Sequence, residues 1–358
     1  MSKLKLGILN SASITKSYGG VGPFMKNLDP FLKDTFDITY VVLPDFLYNI
    51  RFIPRRLIFV LYLLMKKRRL KKFDIILSHE GEASFVASYG ATPFIHIFHG
   101  NHNPMSQSRF WYGKYFAPVF ESMEKRVIKK AALKYTVGNL RPGVPKIFNP
   151  IYHNIKIKEC NSRSGFIFSG RLEKIKNIDK IITVYSKLSA AIQEENPLYI
   201  AGMGTQENAL REYAASLTLH GKIIFLGNLD NSDLIEADSS KKILLMASSQ
   251  EGFPMAIAEA FSLGIPVIAT DTGDIARFLN SGENGFLLPI TFSDDEYIKC
   301  VETILSDYER FSKNALASSS VFKAGAVAGS LIDDIDNYFK KTKDPAFSII
   351  SKQLEKKY

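Results

Sequence analysis

The stretch SSQEGFPMAIAEAFSLGIPVIATDTG, beginning at Ser248, sets two carboxylates, Glu251 and Glu259, among glycines, alanines and large apolar side chains. KILLMASS ahead of the first carboxylate reads as a strand and QEGFP as a turn; Pro254 suits the first helical position and Gly264 ends the helix. Glu251 then stands in a loop at the carboxyl end of a strand, and Glu259 about a turn and a half into the helix. The amides of roughly Gly252 to Ala256 are unpaired at that helix start, where the dipole favours a phosphate. A carboxylate in an Ala- and Ile-rich helix is costly unless hydrogen bonds are donated to it. Ribose hydroxyls can supply them to Glu259, and sugar hydroxyls to Glu251. The plainer alternative is that Glu259 caps a buried backbone group and Glu251 only favours the helix N-terminus. Upstream, FIFSGRLEKIKNIDKII puts Arg171 and Lys176 in the loop after another strand, where a guanidinium and an ammonium can converge on a diphosphate. Two cations, a helix N-terminus and two hydroxyl-seeking carboxylates together complement a nucleotide diphosphate sugar.

The elements that must position these residues alternate along the chain. KLKLGILN reads as a buried strand followed by the glycine-rich turn and apolar-periodic helix of SYGGVGPFMKNLDPFL. FDITYVVLP, FDIILSH, TPFIHIFHG, ALKYTVGN and KIFNP are further short strands, most of them separated by helix-like segments. Polar text at NIKIKECNSRS precedes a second series, GFIFSG, PLYIAGMG, KIIFLGN, KILLMASS and IPVIAT, again with helices between. The pattern predicts an α/β protein of two parallel-sheet domains, divided near Ile155 to Ser164, with a cleft between them. Ligands in such sheets gather beyond the carboxyl ends of the strands. Those ends carry Gly19, Gly20 and Gly22, His79 and His99, Ser169 to Lys176, Gly202 and Gly204, and the Glu251 loop.

Composition narrows the classes. At 358 residues, with 46% hydrophobic and 23% charged, the chain exceeds one core and suits two soluble domains. Cys160 and Cys300 lie far apart and outside any CxxC spacing, which argues against a disulfide framework or a zinc site and for a reducing cytoplasm. The opening MSKLKLGILNSAS has no secretory h-region, and no apolar run reaches bilayer length. The net charge of +10 is uneven, with nine basic residues between Arg51 and Lys72 around a short apolar run. That segment is either a packed helix with a solvated basic end or an interfacial helix for anionic lipid. Nucleic acid ranks last, because no RNP motif, zinc-finger spacing or aromatic-interleaved basic run accompanies it. His96, His99 and His102 are a poor metal set, since His96 and His99 fall on opposite strand faces. The D-x-D within GSLIDDIDNYFKK, at Asp333 to Asp336, reads as a solvated helix face, so no metal site is expected.

SGRLEKIKN, LYIAGMG, KIIFLGNL and above all EGFPMAIAEAFSLGIPVIAT resemble the retaining glycosyltransferases of family 4, the glycosyl transferases group 1. The resemblance covers nearly the whole chain and is strongest from Gly165 to Pro289, with GGVG, HG and NP as weaker echoes and the E-x7-E motif intact. It implies the GT-B fold, two Rossmann-like domains facing each other across a cleft. An acceptor domain would span 1–157 and a donor domain 158–342, with the tail 343–358 crossing back to the first. It implies that Arg171 and Lys176 bind the donor diphosphate and that Glu251 contacts the transferred sugar. Gly252, Phe253, Pro254, Met255 and Ala256 would line the pocket, and Glu259 would hold ribose. Gly20 and Val21 match the glycine loop near the phosphates, Ser169, Gly170 and Gly202 the strand ends around the donor, Asn228 a position near the base, and His99 an active-site histidine. The implied reaction is metal-independent transfer of a hexose, from a UDP-sugar ahead of a GDP-sugar, to a lipid-linked or oligosaccharide acceptor. The implied setting is surface polysaccharide, lipopolysaccharide or capsule synthesis on the inner face of the cytoplasmic membrane. No cofactor is expected. TGDIAR departs from the family's Gly-Gly-x-x-Glu run, which leaves that loop without an assigned role. A nucleotide-sugar epimerase of the same fold and a non-catalytic glycan- or nucleotide-binding subunit are the rival readings.

Overall fold

The computed structural model describes residues 3–13, 21–50, 53–99, 113–137, 143–153, 155–252 and 255–342. They form two units, 1–150 with 324–358, and 151–323. Each is built on a six-stranded, wholly parallel sheet.

The first sheet comprises β1 (Leu4–Leu9), β2 (Phe36–Val41), β3 (Ile75–Ser78), β4 (Phe94–Phe98), β5 (Leu133–Val137) and β6 (Lys146–Ile147), in the order β2-β1-β3-β4-β5-β6. β3 and β4 are buried at every residue and β1 at all but one. That burial is why they read as continuous apolar runs, since helices cover both faces of a parallel sheet. The second sheet comprises β7 (Phe166–Ser169), β8 (Leu198–Ala201), β9 (Ile223–Gly227), β10 (Ile243–Leu245), β11 (Val267–Thr270) and β12 (Gly285–Leu288), ordered β12-β11-β10-β7-β8-β9. Counted from β7 this is the 3-2-1-4-5-6 order of a doubly wound sheet. The chain reverses direction across the sheet between β1 and β3 in the first unit and between β7 and β10 in the second. Those are the switch points at which ligands bind.

Three features differ from the sequence expectation. IPVIAT is followed by one more strand, β12, an edge strand that starts on Gly285 at φ +156°. A Cβ at Gly285 would stand 1.9 Å from the Val267 carbonyl oxygen, so glycine is required where the pattern shows only a short half-buried run. The helix Ala324–Thr342 is grouped with the first unit, whereas the second domain was expected to run from 158 to 342. It packs on the helix Val21–Thr35 and on β5. Tyr135 donates to Asp334 at 2.6 Å, and Phe31 lies against Gly325. On this helix Asp336 is 3% exposed and pairs with Lys340 at 2.6 Å. The D-x-D run is therefore not a solvated face: Asp333 alone of its three acidic residues is exposed. The tail 343–358 lies outside the described residues.

The helix Arg55–Met65 buries Ile58, Phe59 and Leu63, while Leu57, Leu61, Leu64 and Met65 are exposed. Lys67, Arg68, Arg69, Lys71 and Lys72 follow, all exposed. Arg55 and Arg56 are not part of that exposed cluster. Arg55 donates to Tyr48 at 2.8 Å and lies over its ring, and Arg56 meets Glu82 at 3.5 Å. Arg51 lies outside the described residues. Among those described, no helix is long and apolar enough to cross a membrane.

Candidate functional site

At the switch point of the second sheet, β7 ends on Ser169, whose buried hydroxyl has no partner among the described residues. The chain turns through Gly170, with Arg171 exposed, into a tight turn at Lys174–Lys176. Close backbone approach fixes this loop. A Cβ on Gly202 would fall 1.9 Å from the Gly170 carbonyl oxygen and one on Gly204 2.4 Å from that of Leu172, so 170–172 and 202–204 run back to back.

The neighbouring loop after β10 is tied to the first by hydrogen bonds from both sides, the Ser249 hydroxyl donating to the Ile175 carbonyl at 3.1 Å among them. The Ser249 amide donates to the Ile175 carbonyl at 2.8 Å, Asn177 Nδ2 donates to the Ala247 carbonyl at 2.9 Å, and Lys176 Nζ donates to Glu251 Oε1 at 2.6 Å. Asn177 adopts a left-handed conformation, φ +46°, which its short polar side chain tolerates better than most. Ser248 Oγ adds a hydrogen bond to the same Glu251 oxygen at 2.7 Å. The Lys176 side chain is 15% exposed and that of Glu251 8%, so the pair is largely withdrawn from water. Removing one member of such a pair costs about 3–5 kcal/mol, because the other is left uncompensated.

The role of TGDIAR follows from its position. Gly273, at φ +61°, backs onto the Glu251 loop, where a Cβ would stand 2.5 Å from the carbonyl oxygens of both Glu251 and Gly252. The Asp274 amide donates to the Gly252 carbonyl at 3.3 Å. Departing from the expected glycine pair, this loop still props the first glutamate from behind.

Glu259 lies in the helix Met255–Ser262, 8% exposed, and burial pushes its pKa up to about 7. No hydrogen bond of its carboxylate is formed with the described residues. Asp238, in the helix Asn231–Ser239, is 1% exposed; burial and the charge of Glu259 push it up to about 8. Its Oδ1 has no partner among the described residues. Asp238 escaped the sequence reading because EADSS looks like an ordinary polar helix end.

Met255 and Ala256 open the helix half-buried, Gly252 is exposed, and Asn228 is exposed just beyond β9. Phe253, Pro254 and Gly20 lie outside the described residues. Val21 begins the first helix and His99 follows β4, both in the first unit. His96 turns to Ser84 at 2.7 Å, while His99 meets His79 at 2.8 Å. Among the described residues, no group of three or more His, Cys, Asp or Glu could hold a metal ion.

The two sheets and their order define a two-domain α/β protein of the GT-B kind, and known proteins agree. The model of glycosyl transferases group 1 matches residues 156–317, most of the second unit. The GtfA subunit of a UDP-N-acetylglucosamine–peptide N-acetylglucosaminyltransferase from Streptococcus pneumoniae is 24% identical over 307 residues, covering 78% of this chain and 58% of that protein. The O-antigen biosynthesis glycosyltransferase WbnH of Escherichia coli is 27% identical over 213 residues, covering 57% of this chain and 54% of that one. The chain thus spans little more than half the length of these relatives. The structure of Anabaena HepE with UDP-glucose superposes with a TM-score of 0.66 at 16% identity, over 93% of this chain and all of the other. The likeness in sequence is thus to group 1 glycosyltransferases, by the family model over most of the second unit, and the likeness in fold extends over nearly the whole chain.

Proposed function

We propose that the protein is a retaining, metal-independent glycosyltransferase. It moves a sugar from a nucleotide diphosphate sugar, a UDP-sugar first, to a lipid-linked or oligosaccharide acceptor of a bacterial surface polysaccharide or glycolipid. The observation that carries this reading is the Lys176–Glu251 pair at the switch point of the second sheet, held by two mutually braced loops. Lys176 and Arg171 offset the charge that grows on the diphosphate as the bond from the anomeric carbon to the phosphate oxygen breaks. The acceptor oxygen bonds to that carbon on the same face, and its proton passes to a leaving phosphate oxygen. Glu251 accepts hydrogen bonds from the sugar and Glu259 from ribose. The WbnH and HepE names, O-antigen and UDP-glucose, support the donor and product classes.

A thermal-shift screen of UDP- and GDP-sugars tests the donor, since a ligand at 100 times its dissociation constant adds about 2.7 kcal/mol. Acceptor-dependent release of the nucleoside diphosphate with retained anomeric configuration is expected. Epimer formed without acceptor, or no stabilisation by any nucleotide sugar, sinks the reading.

The exposed Leu57, Leu61, Leu64 and Met65 beside the Lys66–Lys72 cluster support peripheral attachment to an anionic membrane on its cytoplasmic face. Exchange of Lys66, Lys67, Arg68 and Arg69 for glutamine is expected to cost about 1 kcal/mol per residue in binding to phosphatidylserine vesicles. Equal binding to neutral and anionic vesicles refutes the attachment.

A further inference from the structure

His79 follows β3 and His99 follows β4, and the helix Val21–Thr35 brings Phe24 and Met25 against them. His79 Nδ1 lies 2.8 Å from His99 Nε2, and His79 Nε2 lies 2.8 Å from Met25 Sδ. A thioether has no hydrogen and can only accept, so His79 Nε2 carries a proton and donates it. Two N–H groups cannot face each other at the other contact, so at least one ring is neutral. Burial, with the charges of His99 and His96, holds His79 well below the ordinary histidine range, and burial brings His99 down to about 3, so both are neutral. With its single proton on Nε2, His79 presents a lone pair at Nδ1, and His99 Nε2 must be the donor. Phe24 packs edge-on to both rings, at 5.5 Å from His79 and 5.0 Å from His99, and fixes their planes.

We propose that Met25 and His79 are positioning residues that lock His99 in the Nε2–H tautomer, leaving Nδ1 as an unprotonated acceptor for a ligand hydroxyl and disqualifying His99 as a general acid. The identity of that hydroxyl as a sugar's rests on the transferase reading; the tautomer does not. The chain from sulfur to His79 to His99 assigns each proton by the chemistry of its neighbour, beginning at an atom that cannot donate.

Nitrogen-15 NMR of histidine-labelled, ligand-free protein between about pH 6 and 8 tests it, with single variants at His79, His96 and His99 assigning the rings. Both His79 and His99 are expected as neutral Nε2–H forms throughout. A His99 ring protonated at Nδ1, or charged in this range, overturns the proposal. Met25→Leu conserves volume but removes the acceptor, and should move the tautomer ratio of both rings toward Nδ1–H by roughly fivefold. His79→Gln supplies an amide oxygen and should keep the His99 signal, whereas His79→Leu should release it. Unmoved tautomers in Met25→Leu overturn the proposal even where His79→Leu fails to fold. Because these signals are read without substrate, their failure leaves the transferase reading standing; a nucleotide-sugar screen without a hit alongside the expected signals sinks that reading instead.

Discussion

The two switch points solve the same architectural problem with opposite chemistry. In the first unit the strand ends gather neutral rings and a sulfur, and the carboxylate of Glu80 is fully engaged by the Ser11 amide at 2.9 Å and the Ser11 hydroxyl at 2.5 Å. In the second they gather a lysine and a paired carboxylate, and the helices Met255–Ser262 and Asn231–Ser239 add two buried carboxylates with raised pKa values. Parallel sheets give both units the same helix-covered strands, so the difference lies in the loops at the strand ends and the helices beside them. The first site is arranged to present fixed acceptors, and the second to exchange charges.

The sharpest way to break this contrast is at Lys176. Lys176→Ala should lower transfer by about a thousandfold and stability by about 3–5 kcal/mol. The pair Lys176→Met with Glu251→Gln should recover most of that stability on chemical denaturation and none of the turnover. Recovery of turnover means the pair is only structural.

Loop bracing comes next. Gly202→Ala places a methyl 1.9 Å from the Gly170 carbonyl at φ +131°, and should cost about 1–3 kcal/mol and weaken nucleotide binding in calorimetry. Ser11→Ala, in the first unit, should cost about 1–2 kcal/mol by taking a hydrogen bond from buried Glu80 while leaving nucleotide affinity unchanged. Equal effects of both on that affinity erase the distinction between the two loop systems.

The smallest effect is a pH slope. Asp238 and Glu259 have folded pKa values of about 8 and 7, above their ordinary 3.8 and 4.5. The folded state therefore binds more protons, and their contribution is fully present below about pH 4 and lost as pH rises through 7 to 8. Melting temperature should fall across that window. Asp238→Asn with Glu259→Gln should flatten the fall, whereas the neutral histidines of the first unit act in the opposite sense: the unfolded chain binds their protons first, so their contribution grows as pH rises to about 6.5.

Much of this was legible in the letters, and the limits are physical. Strands buried on both faces announce themselves as apolar runs, and turn chemistry places Glu251, Arg171 and Lys176 in loops after strands and Glu259 inside the helix that follows. That Lys176 and Glu251 meet across 75 residues was not readable, because it depends on β7 lying beside β10, and strand order leaves no local trace. That His79 meets His99 is unreadable for the same reason, its partner coming from the next strand. The amphipathic period of Ala324–Thr342 reports that a face is buried without reporting which unit receives it.

The ion pair across the second switch point also works as a lock with two keyholes. An anion alone must draw Lys176 away and strand Glu251 with one serine hydroxyl. A neutral sugar alone can court Glu251 while the ammonium goes unanswered. A molecule carrying both phosphate and hydroxyls answers the two halves at once, so a site of this kind should bind free phosphate or a free sugar far more weakly than the two joined.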